Sequence, residues 1–132
     1  MAKIKTSELT GAALDWAVAK AEGAKYEYFL TGPYFVWPTT PTTYSARPPE
    51  YSTDWSQGGP IIEREDLSFR KYHRPDSDAH GTYYAMICKA SGSMIRWDKK
   101  TSKQGSTPLI AAMRCYVASK LGDVVEIPEE LI

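Results

Sequence analysis

Apolar positions first recur along this chain at helical spacing. At ~100° per residue, Leu9, Ala12, Ala13, Trp16 and Ala17 share one face. Leu14, Val18 and Ala21 widen it, and Glu8, Asp15 and Glu22 gather on the narrow sector left for water. The pattern predicts a helix over residues 7–22, with Thr6, Ser7 and Thr10 as candidate caps and Gly23 past its end. Lys20 falls on the apolar face, where its stem suits a head that snorkels to solvent. A second helix is signalled more strongly. Thr107 can cap it, Pro108 suits its first position and Gly122 its end, and residues 109–121 between them are apolar nearly all round. Such a helix belongs inside the domain or in a subunit interface, with Leu109, Met113, Tyr116 and Val117 in the core near Trp16.

Strand-like runs fill much of the remainder. Residues 26–30 and 34–37 are aromatic stretches around Thr31-Gly32-Pro33, and residues 61–65 and 67–72 follow, the latter with alternation of period two. Residues 82–88 and 94–97 form a hairpin pattern around Gly92, and 124–127 read as a last strand stopped by Pro128. The interval 38–59 reads as a loop rich in Pro, Thr, Ser and Gly; its Tyr44, Tyr51 and Trp55 argue for partial order, and loops longer than ~12–15 residues are commonly functional. Residues 73–81 and 98–106 read as polar connections. The expected fold is α+β: a curved antiparallel sheet of about five strands carrying two helices, as one domain over 1–132.

Composition narrows the partners. A chain of 132 residues can bury a core without metal or disulfide staples. Sixteen Lys and Arg balance sixteen Asp and Glu, so no general field draws the chain to nucleic acid or an anionic membrane, and little repulsion keeps copies apart. With that balance, the apolar second helix suggests a homo-oligomer. Cys88 and Cys115 both adjoin apolar runs and read as reduced, structural thiols. No apolar run approaches the ~18–20 residues of a membrane span, and residues 1–8 lack the apolar stretch of a signal peptide. The expectation is a cytoplasmic protein with no membrane partner.

Catalytic chemistry finds little support. His73, Asp76, Asp78 and His80 share a loop but match no zinc-ligand spacing, so no metal or cofactor is expected. No G-x-S-x-G, P-loop or G-x-G-x-x-G occurs, and Gly58-Gly59-Pro60 stands before a predicted strand, where it could not cradle a phosphate. Glu63 and Glu65 would share one strand face as an acid/base pair or simply as a solvated edge. Binding fares better. In the 38–59 loop and beyond it, Tyr51, Asp54 and Trp55, with Arg64 or Arg114 in reach, could hold a planar, anionic ligand. The alternative is that Trp55 plugs the loop onto the core and Arg114 pairs with an acidic residue. Arg70, Lys71, Arg96, Trp97 and Lys99 mix cations with an aromatic, as a platform for single-stranded nucleic acid does; a solvated hairpin rim explains them too.

Three stretches carry a family resemblance: residues 3–19 (KIKTSELTGAALDWAVA), 53–65 (TDWSQGGPIIERE) and 107–117 (TPLIAAMRCYV). They resemble the opening, the middle block and the C-terminal helix of the NinX-like family, small phage and prophage proteins of unknown function. Residues 71–104 match that pattern less well. The resemblance implies dispensable accessory cargo encoded near phage regulatory and recombination genes, and it supplies no catalytic residues. It makes three roles reasonable: sequestering a small, nucleotide-type signal of the bacterial host, blocking a host protein, or assisting phage recombination or replication on single-stranded DNA. The first is expected, because the aromatic loop and Arg114 offer a pocket.

Overall fold

The structure, a computed structural model, describes residues 1–29, 32–37, 40–45, 48–73, 82–91, 94–97 and 101–132, with side chains described in 1–25, 48–73, 82–88 and 101–132. Helix α3, Pro108–Leu121, lies at its centre. Thr107 caps it, its side chain accepting from the Ile110 N–H at 3.1 Å, and Gly122 ends it with φ of 90°, a conformation that glycine adopts without strain. A helix this apolar must be covered on every side. Helix α1, Gly11–Ala21, packs on it, as do α2, Trp55–Arg64, and strands β5, Leu67–Lys71, β6, Tyr83–Ser91, and β8, Lys103–Gly105. Leu109, Met113, Tyr116 and Val117 are buried, with Trp16 in the same core, as expected. Neither cysteine is in a disulfide; Cys115 lies in the core and Cys88 is half-buried.

The fold is α+β, but the sheet differs from expectation. Instead of one curved sheet of about five strands, the described residues form three antiparallel sheets. One pairs β1, Ala2–Lys5, with β9, Val124–Ile127. A second is the meander β2, Lys25–Phe29, β3, Gly32–Trp37, and β4, Thr40–Ser45. The third holds β5, β6 and β7, Met94–Trp97, with β8 also on β6. β6 is long enough to serve two sets of neighbours: its first half pairs with β5 and β8, its second half with β7.

Two local corrections matter for function. Residues 38–59 are no continuous loop, since they contain β4 and the start of α2. Residues 61–64 are helical and Glu65 closes the helix in a turn, rather than forming a strand. Asp54 begins α2 by accepting from the Ser56 N–H at 2.9 Å, and Gly58 presses so closely on the Tyr51 carbonyl and Leu109 that only a residue without Cβ fits. Gly58-Gly59-Pro60 therefore lies inside a helix, and Glu63 and Glu65 share no strand face; at ~100° per residue they diverge, so the acid/base pair dissolves.

Helix α1 starts later than expected, because Thr6–Glu8 forms a 3₁₀ turn of its own. Thr6 is a buried tie, not a cap: its hydroxyl donates to the Gly122 carbonyl at 2.7 Å and its N–H to Asp123 at 2.8 Å. Asp15, expected in water, is buried and accepts from the Ser52 N–H at 2.8 Å. Lys20 does reach solvent, its Nζ 5.3 Å from the Trp16 ring centre.

Candidate functional site

Strand alternation fixes which face of the β5–β6–β8 sheet meets α3. Ala85 is fully buried, so Tyr84 and Met86 beside it project from the opposite face. Tyr72 follows β5 and donates its N–H to the Thr82 carbonyl at 2.7 Å, which keeps it in register. Its ring meets that of Tyr84 edge to face, with centres 6.3 Å apart and planes at 80°. On the other side of β6, β8 sets Gln104 opposite Tyr84. Gly105 follows, so close to α3 that a Cβ there would stand 2.6 Å from the Ala111 nitrogen.

These elements enclose a cleft of about 730 Å³, lined among others by Tyr72, Tyr84, Met86, Lys103, Ser106 and Arg114. Arg114 reaches it from α3. Its Nε donates to the Leu9 carbonyl and its Nη1 to the Gln104 carbonyl, both at 2.8 Å. Among the described residues its partners are these two neutral acceptors and not the acidic side chain of the alternative reading, so they hold the charge in place without cancelling it. Half-burial pulls its pKa down from the ordinary arginine value, yet a guanidinium stays protonated. Lys103 is the second cation, its Nζ 3.1 Å from Asp123. Ser7, Thr82, Ser102 and Ser106 line the same space, and Ser106 directly precedes the cap of α3. Aromatic walls, hydroxyls and fixed cations suit a planar ligand bearing an anionic group.

The residues singled out in sequence are distributed differently. Tyr51 is buried in the core. Asp54 caps α2, and its bonds from Ser56 and Gln57 hold its carboxyl below the usual range. Trp55 is half-exposed, 5.9 Å from Phe69 between ring centres and tilted. Arg64 binds both Glu22 oxygens, at 3.0 and 2.7 Å, and also Glu65 and the Tyr116 hydroxyl, which together hold its pKa above the ordinary value. Arg64 thus contacts Tyr116 and Arg114 points elsewhere, because positions 114 and 116 lie on opposite sides of α3. Of the five, the cleft takes only Arg114.

The basic segments separate too. Arg70 pairs with Tyr84 and Lys71 with Tyr83, whereas Arg96 pairs with Lys89 and Trp97 with Cys88. Tyr84 and Lys89 are roughly 16 Å apart along β6, so the backbone register sets Arg70 and Arg96 at separate ends of that strand. Arg70 lines a small recess of about 140 Å³ that shares Tyr84 and Met86 with the cleft. Lys99, Asp76, Asp78 and His80 lie outside the described residues. Among the described residues, no three of His, Cys, Asp and Glu stand together as a metal site, and no helix is long and apolar enough to cross a membrane.

Tyr84 stood unmarked in the 82–88 strand run, whose unbroken apolar and aromatic residues give no alternation to assign its face. Lys103 closes the basic stretch 96–103, which reads from sequence as part of a nucleic-acid platform and not of a pocket. Residues 5–120 match the protein-family model described as Bacteriophage P22, NinX. No curated protein matches the chain.

Proposed function

The chain belongs to this NinX family of phage proteins, and from that premise we propose that it is a non-enzymatic accessory protein that binds a small, host-derived ligand of nucleotide type in the cleft beneath Arg114. The observation that supports the reading is the edge-to-face pair Tyr72–Tyr84 opposite a guanidinium whose partners are carbonyls. A base or other planar group lies against Tyr84, and a phosphate or carboxylate meets Arg114 and Lys103. Ribose hydroxyls find the serine and threonine side chains of the rim. Binding without turnover is sequestration: the protein lowers the free concentration of a signal in the host cytoplasm, and its effect scales with its abundance.

A second reading rests on the recess beside Arg70. Because it shares Tyr84 with the cleft, a single strand of nucleic acid could cross both, one base on each aromatic. The two readings part on salt. Strand binding weakens steeply as salt rises, through counterion release, whereas a mononucleotide with one or two phosphates loses far less.

The test is capture from host extract. Folded protein is incubated with extract of infected and of uninfected cells, recovered, denatured, and the released small molecules and macromolecules are identified by mass spectrometry. A nucleotide released by wild type and lost with Tyr84→Ala is the expected result. Recovery of a host protein or DNA with no small molecule overturns it.

A further inference from the structure

Strand β5 has a neighbour on one side only: β6 pairs with it, and no strand lies on its other side among the described residues. Which of its backbone groups face that open edge follows from two bonds. The Tyr72 N–H donates to Thr82 and the Cys88 N–H to Asp66, so residues 66 and 72 bond towards β6. Antiparallel pairs alternate, so Ser68 and Arg70 bond towards β6 as well, and Leu67, Phe69 and Lys71 direct N–H and C=O outward. Phe69 and Trp55 lie in contact here, at 37% and 50% exposure. Open strand edges with apolar side chains are templates for pairing.

We propose that a second copy of this chain docks on the β5 edge, antiparallel, with the two-fold axis at Phe69. This register makes Phe69 a bonded pair with Phe69 of the second copy, at the exposed part of the edge, and sets each Lys71 opposite the buried Leu67 at the ends. It uses all five residues of β5. It also sets no like charges opposite each other, since Arg70 faces Ser68 and Lys71 faces Leu67. Centring the axis on Arg70 or Lys71 would bring two cations face to face. Sliding the other way runs into Asp66, whose φ of 53° ends the strand. The two Phe69 rings, flanked by the two Trp55 rings, then cover aromatic surface that one copy leaves in water. The zero net charge opposes none of this.

The experiment is sedimentation of the full chain, with three variants. Wild type sediments as a dimer at micromolar concentration. Phe69→Pro removes an N–H that β6 does not use, so the fold persists while the edge is blocked, and the dissociation constant rises at least about tenfold. In a Cys88→Ala background, Phe69→Cys cross-links on oxidation, because Cα atoms at a bonded antiparallel pair are ~5.5 Å apart. Arg70→Cys does not cross-link, because its counterpart is displaced by two residues and beyond the ~7 Å reach. A wild type that stays monomeric at high micromolar concentration overturns the proposal, and so does a dimer that cross-links through Arg70→Cys and fails to do so through Phe69→Cys.

Discussion

At the scale of single residues, polarity alone was a poor guide to depth. Asp15 belongs by periodicity to the water-facing stripe of α1, yet it is buried to support the Ser52 N–H. Burial pushes its carboxyl pKa up from the ordinary 3.8, and hydrogen bonding from Ser52 pulls part of the way back. Between 3.8 and the raised native value, the folded chain keeps a proton that the unfolded chain has released. Stability therefore falls as pH rises through that window and is level above it. Asp15→Asn keeps an acceptor for Ser52 without the buried charge. It should melt at or above wild type at neutral pH, with the gap closing as pH falls towards the ordinary value. Asp15→Ala leaves a buried N–H unmet and should cost about 1–3 kcal/mol in denaturant unfolding. The Tyr116 hydroxyl is a similar case: it donates to Glu22 at 2.7 Å and accepts from Arg64 at 3.3 Å. Tyr116→Phe should cost about 0.5–1.5 kcal/mol by the same measurement. Neither partnership was legible, because each joins residues remote in sequence.

At the scale of elements, legibility followed length and period. α3 was readable because cap, proline, apolar run and terminal glycine all agree, β5 because alternation persists over several residues, and β6 because an unbroken apolar and aromatic run fills its first half. α2 was not. Two glycines, Pro60 and the pair Ile61-Ile62 all disfavour a helix locally, and tertiary packing overrides them: Asp54 caps the helix, and Gly58 lets its backbone close on Tyr51 and Leu109. Two glycine substitutions test this. A Cβ on Gly58 would stand 2.4 Å from the Tyr51 carbonyl oxygen and 2.6 Å from Leu109 Cδ1. Gly58→Ala should therefore lose about 1–3 kcal/mol. A Cβ on Gly59 meets nothing within 4 Å, and Gly59→Ala should be neutral or gain up to about 1 kcal/mol of helix propensity. Thermal melts of the pair check both. The short β1 and β8 were missed for want of enough residues to show a period, and β8 brings Lys103, Gln104 and Gly105 to the cleft.

At the scale of the whole molecule, the cleft exists because three elements that are distant in sequence converge around α3: the 3₁₀ turn that offers the Leu9 carbonyl, the β5–β6 hairpin with its tyrosines, and β8 with Gln104. Arg114 bonds to two of them, so the charge in the cleft and the packing of the core share one residue. The site is best probed elsewhere, at Tyr84 on the outer face of the sheet. The core itself has no such slack: Met113 is fully buried, and Met113→Asp should abolish cooperative melting. The most direct measurement is calorimetric titration of wild type and Tyr84→Ala with mononucleotides, cyclic nucleotides and ADP-ribose-type nucleotides, with the melting temperature of both proteins recorded. Wild type should bind at least one of them, and Tyr84→Ala should bind it roughly ten- to hundred-fold more weakly, since stacking is worth ~1–3 kcal/mol, while melting as wild type does. No heat with any nucleotide, or equal affinity in the two proteins, would contradict the account.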